Sequence, residues 1–149
     1  METARQTNRW FYHAESLLKE ADQQRYEASV EPLPDALEEG AAALIERGIA
    51  SLTTEFLQPG EHVGSDWRRF LSRHYSEEGD LYRLYSALLT PQGELHVLNS
   101  RLERLLNLSS AQPVKSGMIQ SDVNSVSLNE LLKHLKTLAS ELRQGAEEW

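Results

Sequence analysis

Apolar residues recur along this chain at steps of three and four, and nowhere do they alternate cleanly over more than a few positions. The pattern is clearest between Asp35 and Leu57. There Leu37, Ala41, Leu44, Gly48 and Leu52 form one line, and Ile45, Ile49, Leu52 and Phe56 form a second beside it. That spacing is the 3.6-residue period of an α-helix with a wide apolar face. A polar strip through Glu39, Glu46, Arg47 and Thr53 is left over. A helix apolar on so much of its circumference needs neighbours on more than one side, and Gly40, Ala41, Ala42, Ala43, Gly48 and Ala50 are small enough to let them come close. Each glycine costs about 1 kcal/mol against alanine inside a helix, which close packing would offset. The segment is therefore expected to be the central helix of a bundle, with Leu44 in its core. Leu33-Pro34 disfavours helix before it, Asp35 is a natural N-cap with Glu38 in capping-box position, and Gln58-Pro59-Gly60 ends the helix.

Four further helical stretches follow from the same period. The first runs from near Thr3, with Gln6 in the capping-box position, to about Ser29; Trp10, Ala14, Leu17 and Ala21 form one line, with Phe11, Leu18 and Tyr26 beside it. The short, stiff link 30–34 makes an antiparallel neighbour of the central helix. Ser65 or Asp66 caps a third stretch, in which Trp67, Leu71, His74, Glu78, Leu81, Tyr85 and Leu88 keep heptad spacing to Leu89. Phe70, Tyr75, Tyr82 and Leu89 thicken that stripe, and Ser76-Glu77-Glu78-Gly79-Asp80 reads as an interruption followed by a new cap. Thr90-Pro91 opens a fourth helix, threonine as cap and proline at the first position, carrying Leu95, Leu98, Leu102, Leu105 and Leu106 to about Leu108. Residues 109–126 form a long loop anchored by Met118, Ile119 and Val123. Ser127 caps the last helix, with Glu130 in capping-box position and Val126 stapled to Leu131; Leu128, Leu131, Leu132, Leu135, Leu138 and Leu142 make its buried face, and Gln144-Gly145 ends it. The pattern predicts an all-α fold: an antiparallel up-and-down bundle of four to five helices, spanning 1–149 as one domain, with one long loop before the last helix.

Composition narrows the function. A chain of 149 residues, 40% hydrophobic and 26% charged, is ordinary for one globular domain. No apolar run approaches the roughly 20 residues of a membrane span, and the N-terminus lacks the apolar core of a secretory signal, so a cytoplasmic protein is expected. The absence of cysteine removes disulfides, thiol catalysis and thiolate metal sites. Net charge is −8, with Glu15, Glu20, Asp22, Glu27, Glu31, Asp35, Glu38 and Glu39 set against Lys19 and Arg25 in one stretch. Binding to nucleic acid rests on Lys and Arg neutralising phosphates, so it is not expected here; the acidic stretch reads as a solvated face.

Candidate chemistry is sparse. Five histidines, His13, His62, His74, His96 and His134, raise the question of a metal. No Glu-x-x-His pair of a di-metal bundle occurs, nor any His-Glu-x-x-His, and a single Glu130–His134 pair is common on helix surfaces. No glycine-rich phosphate loop and no nucleophile elbow is present. Trp67, Tyr75, Tyr82 and Tyr85 read as core at helical spacing, or as the lining of a small-ligand site between helices. The run Arg69-Phe-Leu-Ser-Arg-His74 resembles the Arg-x(4–6)-His signature of the HEPN ribonucleases, also small helical bundles. That resemblance implies His74 in acid–base chemistry and Arg69 on a phosphate, although Phe70 stands where that family commonly has a polar residue. The plainer reading makes Arg68, Arg69 and Arg73 a solvated edge. NRWFYHAESLLKEA, an Ala/Gly-rich second helix and the closing LKTLASELRQGAEEW look like a group of short bacterial helical proteins of unknown function. That resemblance implies an all-α fold and brings no catalytic residue. The expected protein is a non-enzymatic interaction or oligomerising module with a protein partner or second copy, and with no cofactor or metal. A HEPN-like ribonuclease or its inactive relative, through Arg69 and His74, and a small-ligand-binding bundle are the alternatives.

Overall fold

The computed structural model describes residues 2–26, 32–57, 60–64, 66–74, 78–106 and 125–147. Their regular structure is entirely helical: α1 Glu2–Tyr26, α2 Pro32–Glu55, α3 Trp67–His74, α4 Asp80–Leu89, α5 His96–Leu105 and α6 Ser125–Glu147. Three helices are long, at 25, 24 and 23 residues, and three are short, at 8, 10 and 10. Where the sequence pattern predicts four to five helices, six are present among the described residues, with the third and fourth stretches realised as α3, α4 and α5.

The most extensive contact in the fold is between α1 and α2. Thr7 meets Ser51, Phe11 meets Gly48 and Leu17 meets Gly40, so partners rise along one helix as they fall along the other, and the two run antiparallel. Gly48 explains the closeness. A Cβ built there would lie 2.3 Å from Cε1 of Phe11, so the ring occupies the space of the missing side chain. Near Gly40 the corresponding gap, to Leu17 Cδ1, is 3.2 Å. Thr7, fully buried, donates its hydroxyl hydrogen bond to the Thr3 carbonyl at 3.0 Å or shares it with Ser51 Oγ at 2.7 Å, so the interface carries no orphaned hydroxyl there.

Helix α6 lies against α1 and α2. Lys136 pairs with Glu15, and Arg143 donates to Asn8 at 3.0 Å, which sets α6 antiparallel to α1. Arg143 also forms a two-pronged contact with Glu55, Nε to Oε1 and an outer nitrogen to Oε2, each 2.8 Å, and so joins α6 to the end of α2 as well. Leu128, Leu131, Leu132, Leu135, Leu138 and Leu142 are all buried, as their spacing predicts. One contiguous core draws on all six helices, and each fully buried Leu or Ile in it contributes about 1.5–3 kcal/mol.

Several expectations need correction. The centre of the α2 face is Ala41, Ala42, Ile45, Ile49 and Leu52, whereas Leu44 is only half-buried at its margin. Thr53 belongs to the buried face; its hydroxyl donates to the Ile49 carbonyl at 2.9 Å, which removes the cost of burying it. On α1 the buried line is Phe11, Ala14, Leu18 and Ala21; Trp10 and Leu17 are half-buried, and Tyr26 is exposed. Helices α1, α2 and α6 begin at Glu2, Pro32 and Ser125, so Thr3, Asp35 and Ser127 lie inside them and not at their caps. Gly145 likewise lies within α6. The interruption near Gly79 is real: α3 ends at His74, and Gly79, at φ 107°, precedes α4.

Thr90 closes a helix where the sequence suggests it opens one. Its hydroxyl donates back to the Ser86 carbonyl at 2.6 Å, and Gly93 N–H and Leu95 N–H return to Thr90 and Ala87 carbonyls. A Cβ on Gly93 would fall 2.2 Å from the Ser86 carbonyl oxygen, so this turn requires glycine. The expected loop 109–126, with its anchors Met118, Ile119 and Val123, lies outside the described residues except at its last two positions, which begin α6.

Two stability measurements test this packing. Ile45→Asp puts an unpaired charge at a fully buried site and should abolish the cooperative melt, whereas Leu44→Asp, at the half-buried margin, should retain one at lower temperature; equal melts would move the core off Ile45. Gly48→Ala should destabilise by about 1–3 kcal/mol through overpacking against Phe11, outweighing its better helix propensity. Gly145→Ala, with open space around it, should stabilise by about 0.5–1 kcal/mol in urea unfolding.

Candidate functional site

The N-terminus of α3 is set by Asp66, whose carboxylate accepts the backbone N–H groups of Arg68 at 3.1 Å and Arg69 at 3.3 Å, a side-chain cap. With that start fixed, successive residues turn through about 100° each. Trp67 enters the core, Arg68 faces α2 and α5, and Arg69 is exposed.

Arg68 is the centre of the densest polar cluster among the described residues. One outer nitrogen donates to Glu46 Oε2 at 2.6 Å and the other to Asn99 Oδ1 at 2.9 Å. Its Nε lies 2.7 Å from Glu103 Oε1 but is not aligned for a hydrogen bond, so this is a charge contact. Trp67 Nε1 donates to the same Glu46 oxygen at 2.9 Å, and the guanidinium lies 4.2 Å from the Trp67 ring centroid, in cation–π range. Asn99, itself buried, donates to the Leu88 carbonyl and to Glu103, both at 3.3 Å. The Arg68, Glu46 and Glu103 side chains are 14%, 22% and 24% exposed. At that burial, removing one partner of such a set costs about 3–5 kcal/mol, because the others stay behind uncompensated. Most of these donors and acceptors meet one another, with Glu46 Oε1 and Arg68 Nε left without a hydrogen bond, which makes this a joint between α2, α3 and α5.

A second feature is open to solvent. Between α1 and α6 runs a groove of about 390 Å³ lined by Asn8, Phe11, Tyr12, Lys136, Ala139 and Arg143. Phe11 is buried and forms its floor; Tyr12 stands at 64% exposure on its rim. The two cations are held in place by Glu15 and Glu55.

Arg69 is exposed, and the His74 side chain lies outside the described residues. Trp67 is buried beneath Arg68, Tyr85 packs on the core, and Tyr82 lines a separate recess of about 360 Å³ with Arg83, Ser86, Gln92 and Glu94. Beside it, burial pushes the Asp80 carboxyl above the ordinary carboxylate value. Any stability from that protonated form is present below the ordinary value and is lost as pH rises through the raised one. Among the described residues no three His, Asp or Glu side chains converge as a metal site, and His134 meets Glu130 alone at 3.5 Å. No described helix is long and apolar enough to cross a membrane.

The sequence reading missed the Arg68 joint by placing Arg68 with Arg69 and Arg73 on a solvated edge. Asn99 carried a signal, since an asparagine amid the leucines of a helix is a poor helix former that needs a partner. Tyr12 was passed over because it lies off both apolar lines of α1.

These features define a class, that of small helical proteins built on an antiparallel pair of long helices. Within that class the chain belongs to DUF6586, a family of unknown function whose model matches residues 1–149. No curated protein and no solved structure matches it.

The ribonuclease alternative has a direct test. Purified protein incubated with structured and single-stranded RNA should give no cleavage that disappears in His74→Ala. A specific cleavage abolished by both His74→Ala and Arg69→Ala would establish the nuclease instead.

Proposed function

We propose that the protein is a non-enzymatic interaction module that engages a protein, in the first instance a second copy of itself, through the groove between α1 and α6. The observation that carries this reading is Tyr12, a large aromatic 64% exposed beside a concave surface floored by Phe11. Tyrosine and arginine are the residues most enriched where protein interfaces concentrate their binding energy, and Arg143 already lies in the same lining, pre-positioned by its two-pronged contact to Glu55. Side chains fixed in advance lose little freedom on association. A two-fold contact would set the same groove of each copy against the other, since a self-complementary patch is what two-fold dimers use.

Sedimentation over a hundredfold concentration range should show self-association in the parent. Tyr12→Ala should weaken it at least tenfold with an unchanged melt, because a surface aromatic supports no core contact. A strictly monomeric parent would exclude the second copy as occupant. A photo-crosslinking residue at position 12 that captured nothing in cells would exclude a different protein partner as well.

A further inference from the structure

We infer that Arg68 is a catch: α3, α4 and α5 form a unit that opens from α1, α2 and α6 as one body, and this guanidinium holds it shut. The inference is independent of the groove, which lies on α1 and α6.

The unit has internal ties. Leu95 N–H bonds the Ala87 carbonyl at 2.9 Å, Asn99 Nδ2 bonds the Leu88 carbonyl, and Arg68 bonds Asn99, so α4 is fastened to α5 and α5 to α3. Its helices have 8, 10 and 10 residues. Lengths below about 12–15 residues are marginal in water, so these helices depend on what they pack against. Their packing against α2 and α6 is thin beside the α1–α2 interface. Three polar contacts cross from the unit to the long helices among the contacts described. Arg83 to Glu141 joins two side chains about half exposed, where ion pairs hold little. Arg68 to Glu46, reinforced by Trp67 to Glu46, is mostly buried.

The charges explain why this tie is a catch. Glu46 on α2 and Glu103 on α5 both lie against one guanidinium, whose charge offsets their mutual repulsion. Without it two mostly buried carboxylates would face each other from opposite sides of the seam. Loss of Arg68 therefore replaces attraction with repulsion at the place where the unit meets α2. Opening uncovers an apolar face made by Trp67, Phe70, Leu71, Leu84, Leu88 and Leu102, which keeps the open state rare and gives it a surface the closed state lacks.

Native-state hydrogen exchange on the full chain tests this. In the parent, amides of α3, α4 and α5 should open together, at rates at least tenfold above those of 41–52 in α2. Arg68→Met should raise their opening about a hundredfold more and leave 41–52 nearly unchanged. Adding Glu46→Gln and Glu103→Gln to Arg68→Met should recover most of the lost protection, which simple removal of a packing side chain would not. If Arg68→Met does not fold, Glu46→Gln in an otherwise native chain weakens the tie across the seam and should loosen α3, α4 and α5 together, again sparing amides 41–52. Parent amides of all six helices opening at one common rate would overturn the inference. So would a variant that accelerates α2 and α3–α5 equally.

Discussion

The Phe11 ring lies where a side chain on residue 48 would have to be, and this close approach fixes the geometry on which the other helices depend. Two helices this near leave each other little freedom to slide or rotate, because neighbouring turns interlock in the same way: Thr7 on Ser51 above, Leu17 on Gly40 below. The pair then presents a stepped apolar surface, Ala14, Leu18, Ile45, Ile49 and Leu52, which α6 covers with leucines. Protein interiors pack at crystal-like density, so a displacement at Gly48 would be felt by every side chain seated on that surface. The glycine that weakens α2 as an isolated helix is what allows α2 to act as the centre of the fold.

Away from that pair, polar contacts take a larger share. The short helices carry buried leucines of their own, but their relation to α2 is specified by directional groups: a tryptophan N–H, a guanidinium and a buried asparagine. Apolar contact favours burial without prescribing one register, whereas donors and acceptors in a mostly buried seam must meet their partners or lose them. The fold thus joins a tightly packed pair, closed by α6, to a group of short helices whose position is encoded in a few hydrogen bonds.

This division explains how much of the structure could be read from the sequence. Helical periodicity located the three long helices, because apolar spacing reports on a helix whatever it packs against; the break before α4 was legible instead in the run Ser76-Glu77-Glu78-Gly79-Asp80, across which the apolar spacing continues. Periodicity did not choose between adjacent stripes. Leu44 and Ile45, or Trp10 and Phe11, are both apolar and lie about 100° apart, and only the partner's shape decides which goes inside. Thr90-Pro91 misled because threonine serves a helix end as readily as a start, through the back-bond to the Ser86 carbonyl. The Arg68 joint draws on residues 46, 68, 99 and 103, and no local pattern links positions so far apart. The candidate site was less legible still. The groove arises where α1 and α6 meet, and Tyr12 looks like any tyrosine on a helix until α6 is in place.

That last relation bears on how the protein is made. α1 and α2 are neighbours in sequence as well as in space, so their hairpin is complete while most of the chain is still to be synthesised. The helix that covers much of its remaining apolar surface, α6, emerges only after α3, α4 and α5. Contacts of α6 with α1 close over more than a hundred residues, Glu15 to Lys136 and Asn8 to Arg143. Long-range closures of that kind come late, and surfaces awaiting them are where nascent chains stick to one another. The acidic residues clustered between positions 15 and 39, on and just after the waiting helix, give the unfinished hairpin a like charge on every copy. Like charge of that kind opposes the close approach of one copy to another.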